Sequence, residues 1–290
     1  MTTLGEALVR AEARLNLSGV EDARAEARLL LQHTLRIASA HLYSHPEQTL
    51  SAAQAGRFRD LVSRRAKHEP TAYIFESQPF FGREFFVDGR VLIPRPETEV
   101  LVQMALESMR GHRAPVVADV GTGCGAIAIT LAMENPDLRI YGVDVSARAL
   151  EVARINCLRY NVADRVTLLL GDLLDPVPGK VDIVVANLPY VSDPDLATLS
   201  PEIARYEPRI ALSGGPDGLR LIRSLLQRAT TRLASGGRVL LEIGHNQEAP
   251  VLSMVGTCSP EAEGQAFQDF NGLSRVVTIN LRNDFTQGGS

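Results

Sequence analysis

Apolar residues recur at helical spacing through the first part of the chain. Leu4, Leu8, Ala11 and Leu15, then Ala25, Leu29, Leu30, Leu31 and Leu35, form stripes among charged positions, and Gly19 separates the two sets. This pattern predicts two amphipathic helices, the second opening near Glu21 and Asp22, where negative charge suits a helix N-terminus. Ser51 is placed to cap a third helix that carries Phe58, Leu61 and Val62 and ends before Pro70. Residues 1–72 are therefore expected to form a small helical domain that presents a docking face. From Tyr73 the texture changes. YIFESQPFFGREFFVDGRVLIP alternates in short aromatic-rich runs, with Gly82 and Gly89 as turn residues, and predicts a β-hairpin linker over 73–93.

Residues 94–290 change period again. Pro94 and Pro96 fix the approach to a helix, VLVQMALESMR, whose first turn receives Glu97 and Glu99. Then APVVADVG, RIYGVD, RVTLLLG, VDIVVANLPY and GRVLLEIG follow as short Val- and Ile-rich runs with amphipathic segments between them. That alternation predicts an α/β fold: a Rossmann-like, mostly parallel sheet covered by helices on both faces. The runs GQAFQDFNG and LSRVVTINL meet at Asn271-Gly272 with no room for a crossover helix, so they are expected to pair antiparallel at a sheet edge. A loose QGGS end follows.

Composition narrows the class. In 290 residues, 45% hydrophobic and 22% charged positions argue for a globular chain rather than a disordered or fibrous one. No apolar run approaches the roughly 20 residues that span a bilayer, and the first residues lack the charged-then-apolar pattern of a secretory signal. A cytoplasmic monomer with no membrane contact is expected. Cys124, Cys157 and Cys258 lack paired spacing, which predicts neither a disulfide framework nor a metal site. A formal net charge of −4 gives no global field for a phosphate backbone, so direct nucleic-acid binding is not expected.

The candidate chemistry begins at Asp119-Val120-Gly121-Thr122-Gly123-Cys124-Gly125-Ala126, between a predicted strand and a predicted helix. Glycines there permit a tight turn and close approach of a nucleotide-like ligand at the carboxyl edge of the sheet. Asp144 ends the next strand about 20 residues on, where a carboxylate accepts from ribose hydroxyls. The spacing also fits G-x-G-x-x-A, so a nicotinamide cofactor competes with S-adenosylmethionine. Asp119 could accept from an amino-acid ammonium group, which dinucleotide phosphates would not exploit. Asp172 could accept from an adenine amino group, with Leu173 against the ring. Either Asp could instead cap a loop or a helix.

The fourth strand ends Asn187-Leu188-Pro189-Tyr190. The Asn187 side-chain carbonyl and the Leu188 backbone carbonyl are two acceptors able to converge on one NH2 group, Pro189 keeps Leu188 out of the helical region, and Tyr190 can pack on a planar acceptor. A delocalised amide or adenine nitrogen is a poor nucleophile and needs placement more than a strong base. His112 and His245, near element ends, receive no chemical role.

With these motifs in order, and with RRAKHEPTAYI, FFGREFFVDGRVLIPRPETEVLV, GVDVSARALEVARIN, EPRIALSGGPDGL, LLEIGHNQ and DFNGLSR, the chain resembles the HemK or PrmC family of protein-glutamine N5-methyltransferases over nearly its whole length. The resemblance implies a helical N-terminal domain, a hairpin linker and a class I S-adenosylmethionine-dependent methyltransferase domain that leaves S-adenosylhomocysteine as product. It implies as substrate the glutamine of the Gly-Gly-Gln motif in class I peptide chain release factors, and hence a part in translation termination. Carried over by motif, Gly121, Thr122, Gly123, Cys124 and Gly125 wrap the methionine part, Asp144 the ribose, and Asp172 with Leu173 the adenine. Asn187 through Tyr190 hold the substrate amide, and Arg95 and Thr98 form the adjacent rim.

Three positions depart from that family pattern. Leu188 stands where the first proline of N-P-P-Y is usual, which keeps the carbonyl, loses rigidity and adds an N–H. Phe75 replaces a glycine and is expected to reshape the hairpin, and Leu173 offers no ring to stack on adenine. Asn-Leu-Pro-Tyr also resembles the motif of ribosomal RNA adenine dimethyltransferases. An RNA or DNA adenine N6-methyltransferase is therefore the competing enzyme class, and a non-catalytic cofactor-binding scaffold the competing non-enzyme.

Overall fold

Hydroxyl caps start two of the helices that build the first compact unit. Thr3 closes a reciprocal capping box with Glu6 before α1 (Leu4–Leu17). α2 (Ala23–Leu35) and the short α3 (Ser39–Ser44) follow, and Ser51 makes the same box with Gln54 before α4 (Ala52–Arg65). Leu4, Leu15, Leu30, Leu31, Phe58 and Val62 are buried together. The computed structural model of the chain describes residues 2–258 and 262–280, so the QGGS end lies outside the described residues.

The sequence pattern placed Tyr73–Phe75 at the start of the hairpin; they lie instead in α5 (Thr71–Phe75). Pro70 opens that turn, Tyr73 and Ile74 are buried, and the Phe75 ring stacks on His33 at a centroid distance of 4.0 Å. Phe75 therefore shapes the helical unit and not the hairpin. The unit runs to Ser77 and takes in residues 200–206, which include the helix Pro201–Tyr206. Within it, buried Arg65 binds Glu26 at 3.1 Å and also Glu202, and Tyr206 donates to the Lys67 carbonyl at 3.0 Å.

Among the described residues, the second unit comprises 78–199, 207–258 and 262–280. It opens with a two-stranded hairpin, β1 (Gln78–Phe80) and β2 (Arg83–Phe85), in register Phe80↔Arg83. Both turn residues, Phe81 and Gly82, take positive φ, as a tight hairpin turn requires. Then come α6 (Thr98–Ser108), β3 (Val116–Val120), α7 (Ala126–Glu134), β4 (Arg139–Asp144), α8 (Ala147–Arg159), β5 (Val166–Leu170) and β6 (Val181–Ala186). A small parallel pair, β7 (Val191–Ser192) and β8 (Ser213–Gly215), follows with α9 (Asp193–Leu196) and, in the first unit, α10 (Pro201–Tyr206). α11 (Arg220–Arg232), β9 (Leu233–Glu242), α12 (Glu248–Cys258), β10 (Glu263–Gln268) and β11 (Ser274–Asn280) complete the described residues.

One seven-stranded sheet has the order β10-β11-β9-β6-β3-β4-β5. Its strands from β9 to β5 are parallel, and β11 runs antiparallel to both β9 and β10, as the short tail connection requires. This is the class I methyltransferase arrangement. Ala118, Val120, Val184, Ala186, Val239 and Leu241 share one core with Leu225 and Leu226 of α11 and Val251 of α12. Strand alternation turns Asp119, Val185 and Glu242 to the opposite face, where α6 packs on β6 and β9.

Register fixes the edge that matters. Val120 pairs with Ala186, and Ala186 with Leu241, so the next residues, Gly121, Asn187 and Glu242, stand level at the carboxyl ends of three adjacent strands. One buried amide ties the hairpin side to this edge. Asn156 of α8 donates to the carbonyls of Phe86 and Cys124, each at 2.9 Å, and accepts from Phe86 N–H at 2.8 Å. Asn156→Leu leaves three backbone groups without this partner, one buried and two half-buried, and is expected to cost about 2 kcal/mol of stability, read as a lower urea midpoint at unchanged slope. A change under about 0.5 kcal/mol would show that these links are dispensable.

Candidate active site

The glycine loop follows from what backbone the turn after β3 needs. Gly121 and Gly125 have φ of +79° and +84°, a region in which side chains are strained. A Cβ at Gly125 would also lie 2.8 Å from the Ile129 side chain, so α7 can start directly beneath the loop. Gly121 and Thr122 both donate to the Val143 carbonyl, at 2.8 and 2.9 Å, which fastens the loop to β4. Asp144 accepts from Gly123 N–H at 2.9 Å and from Ser146 N–H at 2.8 Å. Burial still raises its pKa.

Asp119 sits under this loop and is fully buried. Its Oδ2 accepts from the Thr122 hydroxyl at 2.7 Å and from Ala128 N–H at 3.1 Å, whereas Oδ1 has no partner. Burial pushes its pKa up to about 7. Cys124 is buried too, its thiol pushed up to about 12 by burial, so its side chain is unreactive at neutral pH.

At the end of β6, the Asn187 side-chain N–H donates to Thr98 Oγ1 at 3.1 Å. Thr98 is the first residue of α6 and is buried, so the predicted rim residue supports Asn187 from below. Arg95 forms an ion pair with buried Glu207, whose other oxygen accepts from Ile93 N–H at 3.4 Å. Burial pushes the Tyr190 hydroxyl to about 12, which keeps it protonated and useful as a donor rather than a base.

A cavity of about 500 Å³ opens at this edge. Gly121, Gly123, Asp144, Asp172, Leu173, Asn187, Leu188 and Pro189 line it, with Arg209, Ile210 and Arg220 on another wall. Its size suits a small-molecule ligand. Asp119, Thr122, Cys124 and Gly125 lie behind the wall, and Arg95, Thr98 and Tyr190 are off it. Asp172 reaches the wall with its Oδ2 bonded to Arg228 at 2.7 Å. Leu188 is buried, and its Cδ2 lies 3.4 Å from where a Gly121 Cβ would stand.

Sequence reasoning assigned no role to Gln247, Glu242, Glu207 or Asn156. Gln247 donates to the Tyr190 carbonyl at 3.1 Å and the Gly218 carbonyl at 3.3 Å, and accepts from Gly244 N–H at 2.9 Å. Glu242 was visible as a charged residue interrupting the apolar run VLLEIG. Gln247 and Asn156 gave no such signal.

Residues 6–75 match the model of the PrmC N-terminal domain, and residues 97–203 that of the methyltransferase small domain. The chain is 41% identical to the release factor glutamine methyltransferase of Moorella thermoacetica over 97% of its own length and 100% of that protein's. It is 40% identical to that of Geobacter sulfurreducens, over 89% of this chain and 90% of the other. The chain belongs to the release factor glutamine methyltransferase family. As a member of that family it is a methyltransferase. Among solved structures, a methyltransferase from Pyrococcus furiosus shares the fold with a TM-score of 0.52, at 19% identity over 75% of this chain and 97% of that one. Among the described residues no helix is long and apolar enough to cross a membrane.

In this methyltransferase the buried Asp119 makes stability depend on pH with a definite sign. Burial lifts its folded pKa to about 7, well above that of an aspartate in the unfolded chain, so its contribution is full below the unfolded value and is lost as pH rises through the folded one. Thermal midpoints of the intact chain should fall between about pH 4 and pH 7, and Asp119→Asn should flatten the decline, because an amide needs no charge in that site. An equally steep decline in Asp119→Asn would show that Asp119 is not its source.

Proposed function

We propose that this chain transfers a methyl group from S-adenosylmethionine to the side-chain nitrogen of the glutamine in the Gly-Gly-Gln motif of a class I peptide chain release factor, leaving S-adenosylhomocysteine. The observation that carries the reading is the orientation of Asn187. Its side-chain N–H donates to Thr98 and the residue lines the cavity, an orientation that makes Oδ1 the acceptor for a bound substrate. The names of the relatives that align over nearly the whole chain support the choice of acceptor over an adenine.

The residues present fit the methyl donor. Gly121 and Gly123 give it a backbone wall without side chains, and Asp144 and Asp172 offer carboxylates at the ends of adjacent strands. Bound there, S-adenosylmethionine supplies a methyl carbon activated by its sulfonium charge. The protein's part is placement. Asn187 Oδ1 and the Leu188 carbonyl accept the two N–H bonds of the glutamine amide, hold its nitrogen toward the cavity, and favour the positive charge that grows on it as the N–C bond forms. Such a nitrogen loses its proton readily, so no buried base is needed.

Incubation with a class I release factor and methyl-labelled S-adenosylmethionine, followed by mass spectrometry, should place one methyl on that glutamine. Gln→Ala in the Gly-Gly-Gln motif should abolish the label. Label that survives this change, or that enters nucleic acid instead, contradicts the acceptor. Asn187→Ala should lower turnover by about 10²–10³-fold with cofactor affinity nearly intact, whereas Asp144→Ala should weaken cofactor binding first. Near-wild-type turnover in Asn187→Ala would remove the mechanistic role of the amide.

A further inference from the structure

The last residue of β9, Glu242, is the buried ionisable group at this edge that the reaction as described does not use. It is 2% exposed, and its Oε2 has no hydrogen-bond partner. The parallel register that pairs Ala186 with Leu241 sets it level with Asn187, on the face that carries α6 and Thr98. We propose that Glu242 is a positioning residue that locks the flip of the Asn187 amide by dictating the direction of the Thr98 hydroxyl. The inference rests on the proposed methyl transfer, because it explains how the acceptor for the glutamine nitrogen is kept facing outward.

The argument is one of donors and acceptors. An ionised carboxylate only accepts, so a hydroxyl beside it must donate to it. Hydrogen bonding from Thr98 and from Asn187 both stabilise the charged form of Glu242. With its proton committed to Glu242, Thr98 Oγ1 can only accept from Asn187, and it does so from Nδ2 at 3.1 Å. The amide is thereby oriented with N–H inward and Oδ1 outward. A protonated or neutral group at 242 could itself donate to Thr98, whose hydroxyl would then be free to donate to a flipped Asn187. The flipped amide presents N–H toward the substrate's own N–H, which repels it.

Ionisation of Glu242 therefore gates the site. Burial pushes its pKa up to about 7. The charged groups facing it from the packed elements are Arg275 of β11, which favours the anion, and Glu97 before α6, which disfavours it. Tyr190 after β6 stays neutral throughout this range. Arg275 is itself engaged by Asp269 at 3.3 Å. Turnover should accordingly rise with pH through the neutral region as the anion forms.

The test compares wild type, Glu242→Gln, Thr98→Val and Thr98→Ser by the kcat and KM of release-factor methylation from pH 5.5 to 9. Glu242→Gln should lower kcat on the order of 100-fold at pH 8, change the KM for S-adenosylmethionine less than about twofold, and lose the rise through neutral pH. Thr98→Val should do the same through the missing hydroxyl, and Thr98→Ser, which restores it, should keep the wild-type profile. Thermal midpoints at pH 8 should not fall in Glu242→Gln, since an unpaired buried charge has been removed. If Glu242→Gln keeps both the rate and the pH profile, or if Thr98→Val keeps the rise, the inference is overturned while the methyl-transfer reading stands. If wild type transfers nothing to the release factor, both fall together.

Discussion

The site depends on one primary amide that must not turn over. Asn187 carries an acceptor and a donor of nearly the same shape, and only the acceptor can hold an N–H of a substrate nitrogen. Sterics cannot distinguish the two orientations, so hydrogen-bond polarity has to. Thr98 supplies that polarity at the start of α6, and the sheet register brings it to Asn187 by stacking the ends of β3, β6 and β9. Helix start, register and chemistry are thus one constraint seen at three scales.

Two carboxylates on the α6 side of the sheet are left with an unpaired oxygen, Asp119 at β3 and Glu242 at β9. Burial raises both toward about 7. Each costs stability that a purely structural design would have avoided, since an apolar residue or an amide would sit there more cheaply. The pairing of this cost with the two ends of the site is what ties the carboxylates to function. One lies behind the loop that walls the cavity, the other beside the amide that faces the acceptor. Buried Asn156 and half-buried Gln247, which serve the fold, have partners for their side-chain atoms, while Thr130 Oγ1 of α7 is a third buried atom without one.

The sequence carried the sheet almost whole, because period-two Val and Ile runs separated by amphipathic segments have few other solutions. Each of the seven runs became a strand of the main sheet, and the tail pair took the antiparallel edge. The glycine loop and Asn187 were equally readable, since their residue types are demanded by backbone conformation and by acceptor count. What could not be read was which side of the wall each residue would occupy. Thr122 and Cys124 carry the motif yet lie behind the cavity, and Asp172 shares its carboxylate with Arg228, a partner 56 positions away in the chain. The short helix Thr71–Phe75 is not legible locally, because its aromatic run reads equally as a strand. Phe75 stacks on His33, a tertiary contact that the local pattern does not contain.

The most direct measurement is a crystal structure of the chain bound to S-adenosylhomocysteine and a release factor carrying the Gly-Gly-Gln glutamine. The account predicts the glutamine nitrogen about 3 Å from both Asn187 Oδ1 and the Leu188 carbonyl, with Asn187 Nδ2 still on Thr98. A glutamine nitrogen held elsewhere, or an Asn187 turned so that its N–H faces the substrate, would contradict it.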